Sequence, residues 1–201
     1  MLGFFHAPGS CSLGIRVILE ETGAAYELHR IDLAVGDQRS DRFRALNPKG
    51  KVPALRLPGG RVLTEFQAIA VWLARTHPQA GMLPADPEAE ARVLELLDYI
   101  VGSLHMRGFT LVLMPGKFTA NPEAQEDLRA HGRAVVTEGF AHLSRVLGEA
   151  DWLVGDYSLA DAALFYLTVW ADRIGMDMPA ALAGFHQRML ARPAVQRALA
   201  D

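Results

Sequence analysis

LGFFHAPGSCSL, the sequence of residues 2–13, decides how the chain begins to fold. Its first five residues form an apolar run that fits a buried β-strand, and Pro8-Gly9 ends that run with a turn. Ser12 then opens a helix whose apolar positions recur on one face. Cys11, the single cysteine of the chain, therefore stands where a strand and a turn give way to the start of a helix.

Short elements continue through the first half of the chain. Gly23 closes the helix that Ser12 opens, and the Pro58-Gly59-Gly60 turn predicts an antiparallel hairpin. The order of elements is β-α-β-α-β-β-α, and the helix between the first two strands predicts that they are parallel. The other predicted elements are a strand at 26–33, a short irregular helix at 36–45, hairpin strands at 53–57 and 61–63, and a helix at 65–76.

The second half of the chain has an almost entirely helical pattern. Apolar residues recur at helical spacing in two long stripes, which predict buried helix faces. Ser158 and Asp161 have the spacing of a capping box at the start of an apolar helix that reaches about Ile174. We therefore predict a domain at 1–78, a Pro- and Gly-rich linker at 79–87, and an all-helical domain at 88–201. The stripes are Val93, Leu96, Leu97, Ile100 and Leu104, then Val136, Phe140, Leu143 and Leu147.

Composition excludes several classes of protein. Half of the 201 residues are hydrophobic, which excludes an intrinsically disordered chain. A net charge of −3 gives no general attraction to nucleic acid. The N-terminus lacks the features of a signal peptide, and no apolar run approaches the roughly 20 residues that a membrane span needs. A lone thiol suits a reducing compartment, so we expect a cytoplasmic protein without membrane or nucleic-acid partners.

Charge differs between the two halves. Residues 1–78 carry 10 Lys and Arg against 7 Asp and Glu, a net +3, and residues 79–201 carry 10 against 16, a net −6. Histidines are scattered without the spacing of metal ligands, so we predict no metal site.

Cys11 is the first candidate for chemistry. A thiol at a helix N-terminus faces unsatisfied N–H groups and the positive end of the helix dipole, so we expect the pKa of this thiol to fall. The other interpretation is a buried, inert cysteine. No CxxC motif is present, which excludes a dithiol cycle within the chain.

Three further positions have two interpretations each. Val52-Pro53 enters a strand, where a cis proline would present an extended backbone edge to a peptide-like ligand; an ordinary trans proline is the alternative. Thr64-Glu65 precedes a helix that could bind a carboxylate and an ammonium group, or Thr64 is simply its N-cap and Glu65 a favourable first-turn charge. His105 is either a ligand-facing residue or a partly buried, hydrogen-bonded one.

These residues together resemble the glutathione S-transferases, most closely the bacterial beta class. The resemblance covers nearly the whole chain. Its most specific pieces are PGSCSL at 8–13, NPKGKVPAL at 47–55, LTE at 63–65 with Ala68-Ile69, SLADA at 158–162 and RPAV at 192–195.

The resemblance implies a fold and a set of roles. The fold is a thioredoxin-like N-terminal domain followed by an all-helical C-terminal domain, usually in a homodimer, with the active site between the domains. Glutathione is the implied co-substrate, and Pro53 takes the position of the family's cis-proline. The implied catalytic residues are Cys11, Ser10 and His105; the implied glutathione-binding residues are Lys51, Val52, Pro53, Glu65 and Phe66; and Phe109, Leu113 and Trp170 could form an apolar wall for the electrophile.

The sequence departs from the family pattern near the glutathione carboxylates. Phe66 stands where Ser or Gly is usual, and the loop Ala34-Val35-Gly36 lacks a lysine that the family often has. Strand 1 has Phe4, Phe5 and His6 where tyrosines are common. We therefore expect weak glutathione binding, unless the Phe66 ring points away from the ligand.

The leading hypothesis is a glutathione-dependent enzyme. It would transfer glutathione to an electrophile, or exchange it with a disulfide at Cys11. The alternatives are a non-catalytic or altered-ligand binding protein on the same fold, and a specialised glutathione-dependent isomerase or dehalogenase.

Overall fold

The computed structural model describes residues 1–200, and the chain divides into two compact units. The first unit is Met1–Pro84 together with the C-terminal residues from Met189, and the second is Ala85–Arg188. In chain order the elements are β1 (Leu2–His6), α1 (Ser12–Thr22), β2 (Tyr26–Arg30), α2 (Asp41–Leu46), β3 (Ala54–Arg56), β4 (Val62–Thr64), α3 (Phe66–Thr76), α4 (Pro87–Asp98), a π-helix (Tyr99–Phe109), α5 (Thr110–Leu113), α6 (Pro122–Leu147), α7 (Leu159–Arg173), α8 (Ala180–Ala191) and α9 (Pro193–Leu199).

A four-stranded mixed sheet with the order β2-β1-β3-β4 forms the centre of the first unit. Strands β1 and β2 are parallel, and β3 is antiparallel to both β1 and β4. Phe4, in the middle of β1, lies opposite Leu28 of β2 and Leu55 of β3 and is fully buried. The predicted order and strand directions are confirmed, and the sheet has the thioredoxin-like arrangement.

Strand β2 ends earlier than predicted, at Arg30 rather than Leu33. Asp32 turns the chain out of the sheet: its N–H donates to the Asp37 carboxylate at 3.1 Å, and its own carboxylate accepts the Ala34 N–H at 2.8 Å. The irregular helix predicted at 36–45 consists of a 3₁₀ turn, Asp37–Arg39, and the short helix α2. Ser40 caps α2 by accepting the N–H of Phe43.

The last residues of the chain pack on the first unit. Helix α9 contacts α1, where Arg192 pairs with Glu21 and Arg197 pairs with Glu20, each at 2.7 Å. The boundaries 1–78 and 88–201 remain a prediction about domains, whereas these contacts assign the residues from Met189 onward to the first compact unit.

The second unit is all helical. Every residue of the two apolar stripes predicted from the sequence is buried. The capping box at the start of α7 is present, with the Asp161 carboxylate accepting the Ser158 N–H at 2.9 Å and the Ser158 hydroxyl at 2.8 Å. Helix α7 then runs through the core, and twelve of its fifteen residues are buried.

One helical stretch is long and apolar enough to span a membrane by length and composition. It comprises 87–113, and half of its most apolar part is buried inside the protein. The stretch is not an uninterrupted apolar run, because charged residues such as Glu95, Asp98 and Arg107 occur within it. Core helices of soluble proteins pass the same test, so this stretch is weak evidence for a membrane span.

Candidate active site

Cys11 follows the turn after β1 and occupies the N-cap position of α1. Its thiol is partly buried and donates to the backbone carbonyl of Val52 across a 3.7 Å Sγ–O distance. The thiol and the loop that enters β3, two features the sequence singled out separately, therefore meet in the first unit.

Asn47 holds that loop in place. The Asn47 side chain is buried, donates to the Lys51 carbonyl at 2.7 Å, and accepts the Lys49 N–H at 3.2 Å. The Val52–Pro53 peptide bond is cis, as the resemblance implied. Pro53 is buried, Val52 is half-buried, and the side chain of Lys51 is exposed. The loop thus presents Val52 beside Cys11 and extends Lys51 into solvent.

Glu65 occupies the N-cap of α3, with Thr64 closing β4 before it. The alternative in which Thr64 caps this helix was therefore wrong. Glu65 has a φ of 72°, a left-handed conformation that non-glycine residues rarely adopt, and is the one such residue among residues 1–200. Its exposed carboxylate pairs with Lys49 Nζ at 2.6 Å, and the same ammonium donates to Thr64 Oγ1 at 2.8 Å.

Phe66 begins α3 with its side chain 3% exposed. The ring is therefore buried rather than exposed to solvent. The backbone N–H groups of the first turn of α3 are the donors that a helix start offers to a carboxylate.

Ser10 and Ser12 join the thiol region to a buried histidine. The two hydroxyl oxygens are 2.6 Å apart, and Ser12 Oγ is 2.8 Å from His6 Nδ1. His6 is 2% exposed, and Ser12 is fully buried. Sequence reasoning treated His6 only as a missing tyrosine. The signal that could have found it is a histidine ending an apolar strand six residues before a helix-opening serine.

His105 lies on the π-helix of the second unit. Its Nδ1 is 3.2 Å from the hydroxyl of Tyr166, and its ring centroid is 4.9 Å from that of Trp170 in an edge-on arrangement. The Thr110 hydroxyl donates to the backbone carbonyl of His105 at 3.0 Å. Sequence reasoning missed Tyr166, because a tyrosine in an apolar helix pattern indicates only core.

The three candidates for an electrophile wall differ in exposure. Leu113 is 39% exposed and Trp170 is 6% exposed. Phe109 is fully buried, packed against Phe140 and Trp170 with centroid distances of 6.0 and 5.5 Å. Phe109 and Trp170 therefore both pack in the core of the second unit, and the place of Phe109 in an electrophile wall stays a prediction.

The first unit thus combines a thiol, an extended backbone edge, and a carboxylate beside a helix N-terminus. A backbone edge pairs with a peptide-like ligand, and the helix start and carboxylate suit the carboxylate and ammonium groups of an amino acid. Among residues 1–200, no group of three or more His, Cys, Asp or Glu is placed to hold a metal ion.

Comparison with known proteins identifies the family of the chain. Residues 9–76 match the N-terminal domain of glutathione S-transferases. The chain is 34% identical to glutathione S-transferase GstA of Escherichia coli O157:H7, covering 97% of this chain and 96% of the relative. It is 29% identical to the disulfide-bond oxidoreductase YfcG of Escherichia coli K12, covering 99% and 94%.

Solved structures give the same result. A glutathione transferase homologue from Sulfitobacter with bound glutathione superposes with a TM-score of 0.91 at 30% identity, covering 98% of this chain and 96% of the other. The bacterial beta class glutathione S-transferase of Sphingomonas chungbukensis gives a TM-score of 0.85 at 32% identity, covering 98% and 96%. This chain belongs to the glutathione S-transferase family.

Proposed function

We propose that this protein binds glutathione in its first unit and transfers it to an electrophile, with thiol–disulfide exchange at Cys11 as a second activity. One observation carries the proposal: the Cys11 thiol lies 3.7 Å from the Val52 carbonyl, beside a backbone edge that fits a peptide thiol. The similarity to glutathione S-transferases supports transfer, and the similarity to a disulfide-bond oxidoreductase supports exchange.

Each part of glutathione has a matching group in the proposed complex. The Val52 backbone pairs with the cysteinyl residue, so that the glutathione sulfur faces Cys11 and Ser10. Glu65 exchanges its Lys49 partner for the ligand ammonium group, and the N–H of Phe66 donates to the γ-glutamyl carboxylate. Lys49 and Lys51 then supply the positive charge that the loop Ala34-Val35-Gly36 lacks.

In transfer, the protein holds the glutathione thiolate and aims it at the electrophile. Hydrogen bonds from Cys11 and Ser10 stabilise the negative sulfur, whose electron pair forms the new S–C bond as the leaving group departs. In exchange, the Cys11 thiolate attacks one sulfur of glutathione disulfide. The S–S bond breaks, a mixed disulfide forms at Cys11, and one glutathione thiolate leaves and takes up a proton.

Intact-mass measurement after incubation with glutathione disulfide tests the exchange activity. We expect the wild-type mass to rise by one glutathionyl group and Cys11→Ser to show no adduct. Conjugation of glutathione to an activated aryl halide tests transfer. If no adduct forms but conjugation is measurable, transfer is the only one of the two activities that remains. If titration with glutathione gives no heat, the altered-ligand alternative is favoured.

In the second unit, we propose that Leu113 and Trp170 contact the electrophile and that His105 takes part in the same reaction. Tyr166 holds the His105 ring through the 3.2 Å contact, so His105 acts from a fixed position. We expect His105→Phe to lower the conjugation rate while Cys11 still forms the mixed disulfide. A normal conjugation rate in that variant would contradict this role.

We also propose that the protein is a cytoplasmic homodimer. The opposite net charges of residues 1–78 and 79–201, +3 and −6, favour a contact between the first half of one protomer and the second half of its partner. Salt screens such an attraction, so the contact needs apolar burial as well. Light scattering tests this proposal, and a mass near the 22.0 kDa of one chain in dilute solution would contradict it.

A further inference from the structure

His6, Ser12 and Ser10 form a hydrogen-bonded row that ends beside Cys11. The reaction proposed above uses Ser10 but assigns no role to His6, at the buried end of this row. The row runs from His6 Nδ1 to Ser12 Oγ at 2.8 Å and from Ser12 Oγ to Ser10 Oγ at 2.6 Å. His6 and Ser12 are buried, whereas Ser10 is half-buried and is the residue directly before Cys11. The row therefore links the core of the first unit to the edge of the site.

Backbone groups limit how the protons in this row are arranged. Ser12 Oγ accepts the Ala7 N–H at 3.1 Å, and Ser10 Oγ accepts the Ser12 N–H at 3.2 Å. Each hydroxyl has one proton and two lone pairs, so one lone pair of each oxygen is already used. The Ala7 carbonyl is a weaker acceptor for Ser12, since the two oxygens are 3.3 Å apart. The remaining proton positions depend on which nitrogen of His6 carries hydrogen.

Two arrangements satisfy both serine hydroxyls and Nδ1 of His6. If Nδ1 of His6 has no proton, Ser12 donates to it and Ser10 donates to Ser12, so the Ser10 proton points inward. If Nδ1 carries a proton, it donates to Ser12 and Ser12 donates to Ser10. Both lone pairs of Ser10 are then occupied, and its own proton points out of the row. The proton on His6 thus decides whether Ser10 is a donor toward the site.

We propose that His6 is a positioning residue that holds the Ser10 proton toward the glutathione sulfur. His6 touches no substrate; it acts through Ser12, and it requires the Nδ1-protonated form. A bound thiolate favours this arrangement because its negative charge attracts the Ser10 proton. The inference rests on the proposed glutathione site, and it assigns His6 a role where a tyrosine of strand β1 is absent.

The test is a double-mutant cycle on the conjugation reaction. His6→Phe removes Nδ1 and keeps a ring in the buried strand, and Ser10→Ala removes the final donor. One lost hydrogen bond to a charged sulfur predicts that each variant lowers kcat about tenfold while the KM for glutathione changes little. The double variant should be no slower than Ser10→Ala alone, because the two residues act through the same proton.

Two further measurements separate positioning from a structural role. His6→Asn keeps an N–H donor near the place of Nδ1 and should restore most of the lost kcat. The ultraviolet absorbance of the thiolate that appears on saturation with glutathione should fall in His6→Phe and Ser10→Ala and recover in His6→Asn. Thermal unfolding verifies that each variant is folded, and His6→Val replaces His6→Phe if the ring variant does not fold.

Independent, multiplying effects of His6→Phe and Ser10→Ala would overturn the proposal, as would unchanged kcat in folded His6→Phe. A folded His6→Asn that is as slow as His6→Phe would do the same. Failure of the proposed function gives a different result. If wild-type protein shows neither heat nor thiolate absorbance on adding glutathione, the glutathione site is wrong and the role of His6 falls with it.

Discussion

Asp161 shows how one buried carboxyl group affects the pH dependence of stability. Burial raises its pKa from 3.8 to about 6, although hydrogen bonds from Leu153 and Ser158 act in the opposite direction. The folded state therefore binds a proton at this site more tightly than the unfolded state does. Its stabilising contribution is complete below about pH 3.8 and is lost as the pH rises through about 6.

Replacing Asp161 by Asn removes this dependence. A shift of two pKa units corresponds to roughly 3 kcal/mol. We expect Asp161→Asn to be less stable than the wild type and the deficit to be larger at pH 4 than at pH 7. Urea unfolding of both proteins across this range measures the difference. A deficit that grows toward pH 7 would mean that the hydrogen bonds to the carboxylate outweigh its burial.

Phe66 is a core residue, although its position in the sequence indicated a contact with the ligand. Because the ring is buried at the first turn of α3, Phe66→Ser removes a large core side chain, which typically costs about 3–5 kcal/mol. We expect this loss in urea unfolding, and a smaller one for Phe66→Leu. Calorimetry should show unchanged glutathione affinity in Phe66→Leu, because the backbone N–H remains. A stable Phe66→Ser variant would contradict the burial argument.

At the scale of elements, close helix packing in the second unit depends on glycine. A Cβ placed on Gly132 of α6 would lie 2.7 Å from the Gly108 carbonyl oxygen and 2.9 Å from Cβ of Leu111. A backbone carbonyl cannot rotate aside as a side chain does. The π-helix and α6 therefore approach each other more closely than an alanine at this position allows.

Gly132→Ala and Gly102→Ala form a matched pair. Both positions are helical, so alanine gains up to about 1 kcal/mol of helix propensity at each. At Gly102 the nearest atom to an added Cβ is 3.8 Å away, an ordinary contact. We expect Gly132→Ala to lose about 1–3 kcal/mol through overpacking and Gly102→Ala to be neutral or stabilising. Equal midpoints of thermal unfolding for the two variants would contradict the close approach.

Sequence patterns predicted a helix or strand correctly where its formation depends on residues close together in the chain. The capping box at Ser158 depends on spacing within one helix, and the structure confirms it. The stripe from Val93 to Leu104 is buried as predicted, although it continues from α4 into the π-helix. The π-helix was missed, because apolar residues at helical spacing predict a buried helix face without distinguishing a π-helix from an α-helix; in the fold this segment packs against α6. The early end of β2 was missed because it depends on the side-chain contacts of Asp32 and Asp37 beyond the strand.

The candidate site was predictable to a similar degree. Strand-turn-helix reasoning placed Cys11 at a helix start, and the resemblance implied the cis bond before Pro53. The Lys49–Glu65 pair joins residues sixteen positions apart, and the contact between Ser12 and His6 depends on how the turn folds back. Such contacts exist only after the chain is folded, so no spacing rule indicates them.

At the scale of the whole molecule, the chain returns to its first unit at its end. Helix α9 buries Ala194, Val195 and Ala198, and Arg16 donates to the carbonyl of Ala200 at 3.1 Å. The polar contacts of α9 include the pair between Arg197 and Glu20. The Arg197 side chain is 56% exposed, whereas Glu20 is 18% exposed. Apolar burial and ion pairing therefore both contribute to the attachment of α9 to α1.

We expect apolar burial to contribute more than ion pairing to the free energy that attaches α9 to α1. An ion pair with one exposed partner is worth about 0.2–1 kcal/mol, and salt weakens it. Truncating the fully buried Val195 removes two carbons at about 0.8 kcal/mol each and leaves a cavity. We therefore expect Val195→Ala to lower the urea midpoint more than Arg197→Gln does. High salt should reduce the effect of Arg197→Gln and leave that of Val195→Ala unchanged. A larger, salt-insensitive loss in Arg197→Gln would mean that the ion pair, and not the apolar face, attaches α9 to α1.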